Sequence, residues 1–205
     1  MSESSPIPPT PPSVGLHPEL AAAAASVAQV TEHLHALTDS MTDTQFNWHS
    51  KAGEWSVAEV LDHLTTLHTL MLPRFGHGMA QAREQGWQPN PHQPPKPGPL
   101  GKLFIWANQP HAWTKIKTPA PYTPSPDRPR AVVLPEFFAT QATLLACIRA
   151  TGDVDTGRVR VASPVSDLLV LNLYTWVLAL AAHLHLHTAQ IEGIVAAAGY
   201  PVGGA

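Results

Sequence analysis

Proline placement divides this chain before anything else does. Of its 22 prolines, six fall in the first 18 residues and twelve between Pro89 and Pro129. Proline fixes φ and lacks an N–H, so neither stretch can be regular helix or central strand. Residues 1–16, rich in Ser and Pro with little to bury, read as a flexible tail. Residues 17–205 read as one domain carrying a Pro-rich insert at about 85–131. Elsewhere Ala and Leu dominate and β-branched runs are few, which predicts an all-α fold with four helices.

Each helix has its own signals. The first is expected from Pro18, suited to an initial helical position, to about Thr38, with Leu20, Ala23, Ala24, Val27, Val30, Leu34 and Leu37 on one face. His33 and His35 lie beside that stripe and read as solvated or core-edge residues. A loop at 39–53 follows, and Phe46, Trp48 and Trp55 are expected to seal the end of the domain by packing. Ser56 and Glu59 form a capping box that starts the second helix near Val57, and Val60, His63, Leu64, Leu67, Leu70 and Met71 share its face. Pro73 predicts a kink, with fraying past Gly76 and Gly78. Within the insert, residues 100–117 are apolar enough to fold back as a short helix or lid, and no role is read for His92 or His111. The third helix is expected from about Pro135 to Gly152, with Cys147 as a small apolar filler. Residues 154–171 read as a connection with a turn at Ser163 and Pro164, and Asn172 as the N-cap of the last helix.

Residues 181–192, A-A-H-L-H-L-H-T-A-Q-I-E, carry most of the functional signal. On a helix His183 and His187 stack on one face, about 6 Å apart along the axis and roughly 40° apart in rotation, which lets both point at one ion. His185 lies about 200° away, toward solvent or a partner. A metal held by nitrogen usually takes three protein ligands and keeps a position open. His63, on the apolar stripe of the second helix, is the candidate for the third. Taken alone it reads first as a core histidine with satisfied nitrogens; the pair on the last helix shifts the reading toward a ligand. Glu59 and Asp62 are candidates for the group that holds its outer nitrogen, although Glu59 also has the cap to serve.

Charged residues are only 13% against an average near 25%, and the net charge is −3, which gives no basic footprint for nucleic acid. No uninterrupted apolar run of about 18 residues and no signal-peptide pattern is present, so no membrane partner is expected. The single Cys147 agrees with a reducing compartment, and a cytoplasmic location is expected.

The motif W-S-V-A-E-V-L-D-H-L at 55–64, together with H-L-H-L-H-T-A-Q-I at 183–191, resembles the DinB-like (DinB/YfiT-type) superfamily. Trp55, Ser56, His63, Leu64, His183, His187, Gln190 and Ile191 match its pattern residue by residue; His185 and the Pro-rich insert depart from it. The resemblance implies a four-helix bundle of up-down-down-up type, often a homodimer, with a divalent metal on three histidines. It also implies thiol-dependent transfer or isomerisation, or metal-dependent hydrolysis, as activities of some relatives.

Together these readings predict that His63, His183 and His187 hold Zn, Ni, Mn or Fe, and that a small-molecule substrate, and in the transferase reading a low-molecular-weight thiol as cosubstrate, reaches the open position. The function expected is a metal-dependent S-transferase or hydrolase; the alternative is a non-catalytic bundle that binds a metal or small ligand. No general base is assigned from the sequence.

Overall fold

A computed structural model describes residues 15–110 and 118–202. The helices are α1 (Pro18–Asp39), α2 (Asp43–Phe46), α3 (Val57–Glu84), α4 (Pro99–Ala107), α5 (Arg130–Arg149) and α6 (Leu173–Val195), with an antiparallel pair β1 (Arg160–Ser163) and β2 (Ser166–Asn172) before α6. The fold is mostly helical, consistent with the all-α expectation, and a two-stranded hairpin is added within the segment expected to be a plain connection. Its cause is legible afterwards: Val159 and Val161 are buried while Arg160 is exposed, the alternation of a half-buried strand. The register puts Val161 opposite Leu171.

The four long helices contact one another as the pairs α1–α5, α5–α3, α3–α6 and α6–α1. Side-chain contacts give their directions. Ser26 meets His185 and His33 meets Glu192, so α1 and α6 run parallel. Along α3 and α5, His68 meets Gln141 and Arg83 meets the Ala150 carbonyl just beyond α5, again in parallel. Arg130 at the start of α5 donates to the Thr38 carbonyl at the end of α1, while His35 packs on Phe138, so these two are antiparallel. It follows that α3 and α6 are antiparallel. Leu34, Phe46, Leu61, Leu64, Met71, Phe75, Phe137, Leu144, Leu173 and Leu184 are wholly buried in the shared core.

Three boundaries differ from expectation. Helix α3 does not fray past Gly76: it continues through Pro73 to Glu84, because Phe75, Gly78, Met79 and Ala82 are buried and α3 packs against β1. A Cβ at Gly78 would lie 2.7 Å from Val159 Cγ1, so the missing side chain permits that contact. Helix α5 starts at Arg130 rather than Pro135. Pro135 sits just beyond the first four N–H groups, which lack intrahelical partners in any case, so it removes a single helical bond. The Arg130 N–H and side chain are held by Asp43, Thr38 and Asp39, which fixes the early start. Third, the loop expected at 39–53 contains the short helix α2, begun by a Thr42–Gln45 capping box.

Between α3 and α5, helix α4 packs on α6, with Phe104 edge-on to Trp176 at 5.2 Å and Gly101 close against Thr175. The expected tail at 1–16 lies almost wholly outside the described residues, as do His111 and Trp113. The segment Arg130–Asp153 is long and apolar enough by composition to cross a membrane. Along one side it buries Val133, Phe137, Gln141, Leu144 and Ile148.

Candidate metal centre

Two caps set the site. The Ser56 side chain accepts from the Glu59 N–H and the Glu59 carboxylate accepts from the Ser56 N–H, which starts α3 and places His63 almost two turns in. Asn172 accepts from the Thr175 N–H and starts α6, carrying His183 and His187 to its later half. Because α3 and α6 are antiparallel, the early part of one faces the late part of the other.

There the three histidines converge. One ligating nitrogen from each of His63, His183 and His187 lies within 4.8 Å of the others. The ring centroids are 4.8 Å apart for His63 and His187, 5.3 Å for His63 and His183, and 4.4 Å for His183 and His187. His183 Nε2 and His187 Nε2 are 3.0 Å apart. Two nitrogens bound to one ion at about 2.0–2.1 Å and near tetrahedral or right angles are themselves about 2.8–3.4 Å apart.

The outer nitrogens decide which atoms face inward. His63 Nδ1–H donates to the Tyr122 carbonyl at 2.8 Å, and His187 Nδ1–H donates to Gln190 Oε1 at 2.8 Å. Each bond assigns the proton to Nδ1 and leaves Nε2 as a lone pair, the arrangement in which ligating histidines are held. His183 Nδ1 is buried without a hydrogen-bond partner among the described residues. Burial, and the closeness of the other rings, pull the imidazole pKa values down: His187 to about 4, His183 well below its usual value. Burial also lowers His63, against the Tyr122 carbonyl and Asp62, which raise it. All three are therefore neutral at pH 7, the state that binds metal.

Several neighbours have roles that the sequence did not disclose. Trp55 does more than close the end of the domain: its ring lies 4.9 Å from that of His63 and stacks at 6.1 Å and 25° on His187. Neither Glu59 nor Asp62 holds His63. Glu59 is spent on the cap, and Asp62 accepts from the Ser125 N–H and pairs with Arg128. The acceptor is a backbone carbonyl from the insert, which no side-chain identity announces. His185 faces away, bonded to Ser26, and His33 pairs with Glu192. A further interior histidine, His68, is wholly buried, with Nδ1 bonded to the Gln141 amide and Nε2 unpartnered among the described residues. Cys147 is part-buried with its thiol pushed up to about 11 by burial, as expected of a packing residue and not of a nucleophile.

No curated protein and no solved structure matches the chain. The DinB superfamily model matches residues 19–191, a span that takes in most of the four long helices and all three histidines. With that match over most of its length, the chain belongs to the DinB superfamily.

Proposed function

We propose that the four long helices are a four-helix bundle of up-down-down-up type that holds a divalent metal on His63, His183 and His187, and that the protein is a metal-dependent enzyme of the thiol S-transferase or hydrolase class. The observation that carries the metal reading is the convergence of three neutral imidazoles, two with their outer nitrogens tied down so that Nε2 is bare. An ion held this way keeps coordination positions open, and when bound it lowers the pKa of a water or thiol at neutral pH. The chain's own residues do the positioning: Tyr122 and Gln190 orient two rings, and Trp55 walls the site with an apolar face. Imidazole nitrogens suit Zn, Ni, Mn and Fe alike, and a low-molecular-weight thiol is the cosubstrate in the transferase reading.

One observation favours the second reading, a non-catalytic metal- or ligand-binding bundle. Glu59 and Asp62, the carboxylates nearest His63 in sequence, are both committed to structural partners and unavailable as proton acceptors. The test begins with metal content. Purified protein should hold about one divalent ion per chain, and His63→Ala and His187→Ala should each lose it. Wild-type protein that takes up no metal from excess Zn²⁺, Ni²⁺, Mn²⁺ or Fe²⁺ would end the proposal. Loaded protein inert toward thiol-plus-electrophile, ester and amide panels would select the second reading.

We also propose that the protein forms a homodimer and acts in the cytoplasm on a small-molecule substrate. The dimer has support in α5, whose outward side exposes Val132, Ala139, Ala142 and Ala146 beside Glu136 and Thr143. Light scattering of the purified chain decides it.

A further inference from the structure

The insert is tied to α3 at two adjacent residues, and only one of them is a candidate ligand. His63 Nδ1–H donates to the Tyr122 carbonyl. Its neighbour Asp62 accepts from the Ser125 N–H at 2.8 Å through Oδ2 and from Arg128 through Oδ1. Arg128 turns its other nitrogen to Glu136 on α5, with N···O distances of 2.9 and 3.0 Å, and its carbonyl accepts from Asn47 at 3.2 Å. Asp62 is buried, so this carboxylate is paired and hydrogen-bonded where an unpaired one would not be tolerated.

We propose that the Asp62–Arg128 pair is a positioning device for the metal centre: it clamps the insert so that the Tyr122 carbonyl holds His63 with the proton on Nδ1. This rests on the reading of His63 as a ligand. Ser125 lies three positions after Tyr122, a reach of about 10 Å at most, so fixing Ser125 and Arg128 leaves the Tyr122 carbonyl little freedom. The turn Ala120–Tyr122, closed by the Tyr122 N–H to the Pro119 carbonyl and the Thr123 N–H to the Ala120 carbonyl, aims that carbonyl from the other side. If the carbonyl is lost, nothing assigns the proton to Nδ1, and the Nε2–H tautomer cannot bind an ion through the inward nitrogen. Asp62 is thereby a residue that acts through another: it touches the insert, and the insert touches the ligand.

The decisive experiment compares wild-type protein with Arg128→Met, with Asp62→Asn, and with the Asp62→Asn/Arg128→Met double variant, which leaves no uncompensated buried charge and keeps the comparison open if a single variant folds poorly. Metal-free protein is read by nitrogen-15 NMR of the histidine rings, and Zn²⁺ affinity by competition with a chelating dye. In wild type His63 should carry its proton on Nδ1. In the variants that signal should move toward a mixture of tautomers while Zn²⁺ affinity falls about 10–100-fold, the usual effect of removing a group that orients a ligand. Arg128→Lys, which keeps the charge but cannot fork between Asp62 and Glu136, should fall between. Folded variants that keep the Nδ1 proton and bind Zn²⁺ within about twofold of wild type would overturn the clamp. Wild-type protein with the Nδ1 proton but no Zn²⁺ binding would instead sink the metal reading and leave the geometry standing.

Discussion

At the scale of single residues, His68 and Gln141 are the unusual pair. Both are wholly buried between α3 and α5, joined by a hydrogen bond of 3.1 Å, and among the described residues each keeps an unpartnered polar atom, His68 Nε2 and Gln141 Oε1. Burial, with His63 and His187 nearby, lowers the His68 pKa from 6.5 to about 3. A base whose folded pKa is depressed takes up a proton in the unfolded chain first. Its contribution to stability is therefore complete above about pH 6.5 and is lost as pH falls from there toward 3, by about 1.4 kcal/mol per pH unit for one such histidine. Denaturant unfolding of metal-free protein between pH 4.5 and 7.5 should show this slope, steepened by His183 and His187, and His68→Leu should make it shallower. Replacing His68 alone leaves Gln141 with no partner, a cost of about 1–3 kcal/mol at pH 7, whereas His68→Leu/Gln141→Leu should be near neutral. A double variant no more stable than the single one would show that the pair has another function. The sequence marks His63, His183 and His187 through spacing, but His68 carries no such mark, because its environment is made by α5.

Among the elements, α3 decides most. It carries His63 near its start and packs against β1 near its end, and its length depends on that second contact more than on intrinsic propensity. Alanine favours a helix over glycine by about 1 kcal/mol, yet a Cβ at Gly78 would stand 2.7 Å from Val159 Cγ1. Overpacking of a tight contact costs about 1–3 kcal/mol, so Gly78→Ala should lower the thermal midpoint despite the better helix former. Val159→Ala added to it should recover part of the loss, a coupling readable in a double-mutant cycle. At the other end, Ser56→Ala removes the cap and should cost about 1 kcal/mol, together with some of the precision with which His63 is placed. Pro73 and Gly76 argue locally for an earlier stop, and tertiary packing overrides them.

For the whole molecule, a metal held at the proposed site would link binding to folding. An ion that binds the folded chain and not the unfolded one stabilises it by about 2.7 kcal/mol at a free concentration one hundred times its dissociation constant. Chelator-treated protein should therefore unfold at a lower temperature than Zn²⁺-loaded protein, and His187→Ala should erase the difference. The same protein titrated from pH 7.5 down to 4 should lose Zn²⁺ as its histidines protonate, His187 at about 4 in the absence of the ion. The sequence alone determined the local parts of this architecture. Capping residues and apolar spacing mark the starts of α1, α3 and α6, and the four-residue interval on α6 puts His183 and His187 on one face, because each depends only on neighbours within a turn or two. Tertiary structure decided what joins distant segments: the hairpin ahead of α6, the place of Trp55 beside the histidines, and the hold on His63. That hold comes from the Tyr122 carbonyl, a group every residue carries, so its role follows from where the folded chain places it and from no feature of its sequence.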